Sequence, residues 1–213
     1  MDNKKKSAIA IIAYIIVSIS AFALALILPM TRELFKQVSG SYPYIMGFVK
    51  FYILATAGEL IAARLAKKEW AVPPKIVARF IIWGLIGIWI TFMMKVFSAA
   101  VGAGIIPGSD ILFLRALYTS VIMNCTFGPT FMAVHKCSDQ WLEMRSKGMK
   151  KIGPSAVVSA IDWSKFVTFT LFKTVPLFWI PAHTVTFMLP TEYQVIMAAS
   201  LSVALGIILN IKR

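Results

Sequence analysis

Residues 7–28 form an almost unbroken apolar run of about 22 residues directly behind Lys4, Lys5 and Lys6. At ~1.5 Å per helical residue such a run spans the ~30 Å hydrocarbon core of a bilayer. A secretory leader starts with a similar basic cluster, but its apolar region is shorter and a small-residue cleavage site follows. Here Pro29-Met30-Thr31-Arg32 follows, so the run reads as an uncleaved membrane helix. The rest of the chain agrees. Its 59% apolar and 15% charged residues, with a mean hydropathy of +0.78, depart from soluble domains, which hold about half apolar and about a quarter charged residues.

Six apolar segments can be drawn, at residues 7–28, 44–66, 75–101, 111–134, 163–180 and 191–211, with Pro or Gly near most junctions. The expected fold is therefore all-α: a polytopic helical membrane bundle of about six transmembrane segments. One segment is expected to be broken near residues 178–195, where Pro181 and Pro190 enclose His183, Thr184 and Thr186.

A net charge of +13 in a soluble chain would suggest nucleic acid, but in a membrane chain the placement of the cations carries the information. No nucleic-acid partner is expected. With six crossings and both termini in the cytoplasm, sixteen of the 22 Lys and Arg residues fall on the cytoplasmic side, as the positive-inside rule requires. They are Lys4 to Lys6; Arg64, Lys67, Lys68, Lys75 and Arg79; Lys136, Arg145, Lys147, Lys150, Lys151 and Lys165; and Lys212 with Arg213. Residues 138–152 mix Trp141, Leu142, Met149 and Ile152 with four cations. They suit either a helix lying on anionic lipid headgroups at the cytoplasmic face or a solvated basic loop.

Charged groups inside spanning segments are costly and usually face protein or a watery cavity. Ala55, Gly58, Glu59 and Ala62 follow the i, i+3, i+4, i+7 spacing, which puts the Glu59 carboxylate within a small-residue face that lets a second helix approach closely. A cation should oppose it: Lys50, Arg79, Lys95 or Lys173. Both a structural ion pair and the lining of a polar pathway fit this residue. Lys173, which shares a face with Thr170 and Thr174, suits either snorkelling or cavity lining. Cys125 and Cys137 are too far apart along one helix to pair and read as buried thiols. No HExxH, GxSxG, phosphate-binding loop or paired-cysteine box occurs, so neither enzyme chemistry, a metal nor a cofactor is expected.

The order of the motifs resembles the Mpv-seventeen/PMP-twenty-two family of small peroxisomal and mitochondrial inner-membrane proteins. "GELIAARLAK" is similar to its Gly-Asp-x-x-x-Gln stretch, with Glu59 in the acidic place and Ala63 in that of the glutamine. Arg79 precedes a glycine-bearing helix, and Lys95 alone remains of a Trp-Tyr-Lys run. "NCTFGP" resembles Asp-Gln-x-x-Phe-Ala-Pro, with Asn124 at the glutamine and Met123 at the aspartate. Trp179 and Pro181 stand for a Trp-Pro pair, with His183 and Thr186 at the following Gln and Asn positions. Phe187, Pro190, Tyr193 and Val195 keep the spacing, while Gln194 and Leu205 replace an arginine and a tryptophan.

The resemblance covers about residue 34 to the C-terminus, which makes residues 1–33 an N-terminal helical extension of a family-like domain at 34–213. The substituted positions suggest a distant bacterial branch in the cytoplasmic membrane. The resemblance implies a small channel-like or facilitator protein for metabolites or ions, with Glu59, Lys95, Asn124, Lys173, His183 and Thr186 as pathway or interior polar residues. A small solute and further copies of the chain are then candidate partners. A non-transporting membrane scaffold or stress-related assembly protein is the alternative. A lipid-headgroup enzyme at the basic face is a third, weaker reading.

Overall fold

The computed structural model describes the backbone of residues 3–211 and the side chains of residues 5–208, and all regular structure among them is helical. Lys212 and Arg213, used in the charge count, lie outside the described residues. The helices are α1 (Asn3–Ile27), α2 (Pro29–Ser41), α3 (Pro43–Lys67), α4 (Ile76–Gly102), α5 (Leu112–Ser146), α6 (Pro154–Ser159) and α7 (Trp163–Lys165). A π-helical segment (Phe166–Trp179), α8 (Ile180–Met188) and α9 (Thr191–Ile211) complete the chain. Proline opens α2, α3 and α6, where a missing amide donor leaves no helical bond unmade. Lys68 ends α3 in the left-handed region, at φ 58°, with its N–H bonded to the Arg64 carbonyl.

Among the described residues, four helical stretches are long and apolar enough to cross a membrane: Lys5–Ile27, Pro43–Lys67, Ile76–Gly102 and Thr191–Ile208. The segments expected at 111–134 and 163–180 are also helical, within α5 and the run from Trp163 to Met188, but are not among the four.

The chain divides into two compact units. The first holds α1 to α3, α4 through Phe92, and α9. Helix α3 supplies its centre, burying Phe51, Leu54, Ala55, Ala57 and Leu60. Small residues bring the backbones together. A Cβ on Gly58 would lie 3.0 Å from Val203 Cα in α9, and one on Gly206 would lie 3.1 Å from Ala62 Cβ. Of the face that the sequence marks with Ala55, Gly58, Glu59 and Ala62, Gly58 and Ala62 pack on α9, whereas Glu59 turns to α4. Ile11 and Ile15 of α1 join Ala57 and Leu60 in a core edged by Tyr14, Ile61, Trp70 and Ile76. The Tyr14 hydroxyl donates to the Ile53 carbonyl at 2.8 Å, fixing α1 against α3.

The second unit runs from Met93 to Leu189 and is built on the packing of α5 against α8 and the π-helical segment. A smaller core of Met144, Val157 and Ile161, edged by Cys137, Ile152 and Trp163, fastens α6 to the end of α5.

Two expectations are corrected in this unit. Residues 178–195 are not an open break: α8 is helical through Met188, and the interruption shrinks to Leu189, extended at ψ 156°, and Pro190. Pro181 is accommodated because it falls in the first turn of α8, directly behind the π-helical segment. There Ile180 N–H bonds to Val175 O, five residues back, and this wider turn avoids the carbonyl clash that a proline ring meets in an α-helix interior. Nor is there a separate surface helix at 138–152. Helix α5 continues to Ser146 and closes with Gly148 at φ 90°, Gly148 N–H on Arg145 O and Met149 N–H on Met144 O. This is the glycine-terminated Schellman end, which satisfies the last free carbonyls of a helix.

Candidate functional site

Three polar clusters occur inside the helical units, two in the first and one in the second. Glu59 of α3 faces α4, where Arg79 Nη1 bonds to Oε1 and Trp83 Nε1 donates to Oε2 at 2.9 Å. The side chains of Arg79 and Glu59 are only 12% and 21% exposed, so the pair belongs to the helix packing and not to the surface. Arg79 Nε also donates to Pro74 O at 3.2 Å, which anchors the guanidinium to the turn before α4. Of the four cations expected opposite Glu59, the fold selects Arg79. Arg79 and Trp83 are one turn apart at the start of α4, which aims both at one carboxylate.

The second cluster centres on Lys50, a residue the sequence reading names only as a possible partner of Glu59. It is 2% exposed, which places a lysine where few occur without compensation. Its Nζ donates to Ser39 Oγ at 3.0 Å and to the Glu192 carbonyl at 3.4 Å, and lies 4.5 Å from the centre of the Phe35 ring. Phe35 in turn stacks on Tyr193 at 6.2 Å. One ammonium therefore ties α2, α3 and the start of α9 together. The sequence carries a signal for this: Lys50 lies three residues after Gly47 and four before Leu54, on the packing face of α3.

The third cluster joins α5 to α8 in the second unit. Ser120 Oγ donates to the Ile180 carbonyl at 2.7 Å, and Asn124 Nδ2 donates to the Ser120 carbonyl at 2.8 Å. The Asn124 amide also faces His183 Nδ1, with Nδ2 at 3.0 Å and Oδ1 at 3.1 Å. The ring nitrogen accepts from the amide in one tautomer and donates to it in the other. His183 stacks on Trp179 at 5.2 Å and meets Phe187 at 6.4 Å. The spacing 179, 183, 187 puts these three rings in a column on one helix face, a pattern legible in the sequence but not singled out there.

Asn124 and His183 are thus brought together. Thr186, one turn away, is fully buried and turns its hydroxyl back to the Ala182 carbonyl at 2.9 Å, just as Thr184 bonds to Ile180 O at 2.8 Å. Lys95 and Lys173 are placed otherwise. Both are exposed, on α4 and on the π-helical segment, and neither joins a polar cluster. Cys125 is exposed, contrary to the expected burial, because one residue on from the inward Asn124 the helix has turned by ~100°. Among the described residues no group of three His, Cys, Asp or Glu could hold a metal ion. Comparison of the chain with protein families, curated proteins and solved structures gives no match.

Proposed function

We propose that this membrane protein is a small channel-like facilitator for a small metabolite or ion, with the Asn124–His183 pair as its polar centre. The observation that carries this reading is the contact itself: an imidazole and an amide facing each other between two largely apolar helices. Polar groups inside membrane helices are expensive and are kept mainly where they act. The adjoining 14-residue π-helical segment supports the same reading, since π turns occur often at functional sites. The resemblance to the Mpv-seventeen/PMP-twenty-two family points the same way, and its substituted positions suggest a distant bacterial branch.

The proposed arrangement has six crossings, adding those through α5 and through the run from Trp163 to Met188. In this arrangement both termini lie in the cytoplasm, an orientation that the distribution of Lys and Arg supports. Cysteine labelling in a background lacking Cys125 and Cys137 tests the orientation. A cysteine at Gly108 should react only from outside, and reaction only from the cytoplasm would reverse the assignment.

A non-transporting scaffold is the second reading, favoured by Glu59, whose carboxylate oxygens are taken up by Arg79 and Trp83. Flux measurements in liposomes separate the two. Wild-type protein should pass at least one class of small anion, cation or neutral metabolite above protein-free vesicles. His183→Ala and Asn124→Ala should lower that flux about tenfold, the effect of losing one or two hydrogen bonds of ~1 kcal/mol each. Flux equal to that of empty vesicles supports the scaffold, and wild-type flux in both variants removes the pair from the pathway.

A further inference from the structure

Helix α5 is longer than a crossing needs. Its 35 residues extend ~52 Å, against ~30 Å of hydrocarbon and about 40–45 Å with both headgroup layers. A tilt of roughly 30°, within the ordinary range, lets such a helix run from one headgroup surface to the other. Its last turns then stand among the headgroups.

The residues there form a defined surface. Arg145 lies over the Trp141 ring at 5.4 Å, and its Nη1 donates to Lys150 O at 2.8 Å and Met149 O at 3.3 Å. The turn after α5 is thereby folded back onto the helix end, next to the ring. Trp141 and Met149 are 41% and 42% exposed although both are large and apolar, which marks a face that the second unit leaves uncovered. Around them the charges are unequal. Glu143 pairs with Lys147, Asp139 lies 3.5 Å from His135, and Asp162 caps α7 through the Lys165 N–H. Lys150 and Lys151 are exposed, and no carboxylate among the described residues lies within ion-pair distance of either.

We propose that this turn, formed by the Trp141–Arg145 stack with Met149, Lys150 and Lys151, docks on anionic phospholipid headgroups of the leaflet from which α5 emerges. The ring and the thioether enter the boundary layer, and the lysines meet phosphates, a combination of apolar and electrostatic attraction suited to a lipid surface. The crossing of α5 and the assignment of that leaflet as cytoplasmic rest on the six-crossing arrangement given under Proposed function; the docking chemistry does not.

The full-length protein carrying Met149→Cys, with Cys125→Ser and Cys137→Ala, is labelled with a polarity-sensitive fluorophore. It is then reconstituted in phosphatidylcholine vesicles with or without 30% phosphatidylglycerol. Emission should shift to the blue in the anionic vesicles and return in 1 M salt, where the Debye length is ~3 Å. Each of Lys150→Gln and Lys151→Gln should reduce the docked-to-free ratio roughly fivefold. A label at Ile105, outside the patch, should not respond to lipid charge. Equal emission at position 149 in neutral and anionic vesicles, or a full shift in the double Gln variant, overturns the proposal. Both leaflets carry the anionic lipid, so a reversed orientation leaves this result intact and is detected separately by the labelling at position 108.

Discussion

Arg79→Met should destabilise the first unit by roughly 3–5 kcal/mol, the cost of leaving one partner of a buried ion pair without its counter-charge. The lower end applies, because the pair is 12% and 21% exposed and Trp83 still donates to Glu59. Glu59→Gln should cost less, since the amide oxygen can keep the Trp83 bond and Arg79 keeps the Pro74 carbonyl. The double variant should be more stable than Arg79→Met alone, because removing both charges removes the stranded one. Unfolding in mild detergent, followed by circular dichroism against a titrated denaturant, measures all three. Additive losses in the double variant would show that the two groups do not interact.

Gly87→Val should lower stability by about 2–3 kcal/mol or prevent assembly of the first unit, as overpacking of a tight core does. Here α3 and α4 cross on two glycines. A Cβ at Gly87 would collide with the Gly47 carbonyl and lie 2.7 Å from Phe51 Cβ, and a Cβ at Gly47 would come within 2.8 Å of Gly87 O. A backbone carbonyl cannot swing aside, so the helices themselves must separate. Gly84→Ala provides the contrast: the atoms nearest its new methyl belong to the Phe48 ring, a side chain that can shift, and the loss should be smaller. Gly102→Ala, with open space around it, should be neutral to slightly stabilising. Equal effects at positions 87 and 102 in the same detergent assay would contradict close contact at the crossing.

The candidate site was only partly legible in the sequence. Asn124 and His183 could be named from motif order, yet nothing local says that they meet, because 59 residues separate them and the contact depends on the rotation of α5 against α8. Lys50 was hidden by its type. In the sequence it stands only as one of four candidate partners of Glu59, and Ser39, Phe35 and the Glu192 carbonyl, which hold it in the core, come from elements far along the chain. Lys95 and Lys173 stand beside Lys50 in the sequence as candidate partners of Glu59. No element brings partners to them, and they remain exposed.

The sequence by itself determined the helical, membrane-type character of the chain, the bounds of α3 and its small residues, whereas α2 fell between the apolar segments and was not legible. The legible features follow from local causes: apolar run length, the missing donor of proline, and the absence of a side chain at Gly58. Only the tertiary structure decided that Arg79, among four cations, meets Glu59, and that residues 178–188 stay helical in spite of Pro181. The first is a matter of which helix faces which at what rotation. The second turns on a change of hydrogen-bond register by one residue, from four back to five, which the chain around the proline permits and which apolar periodicity does not encode.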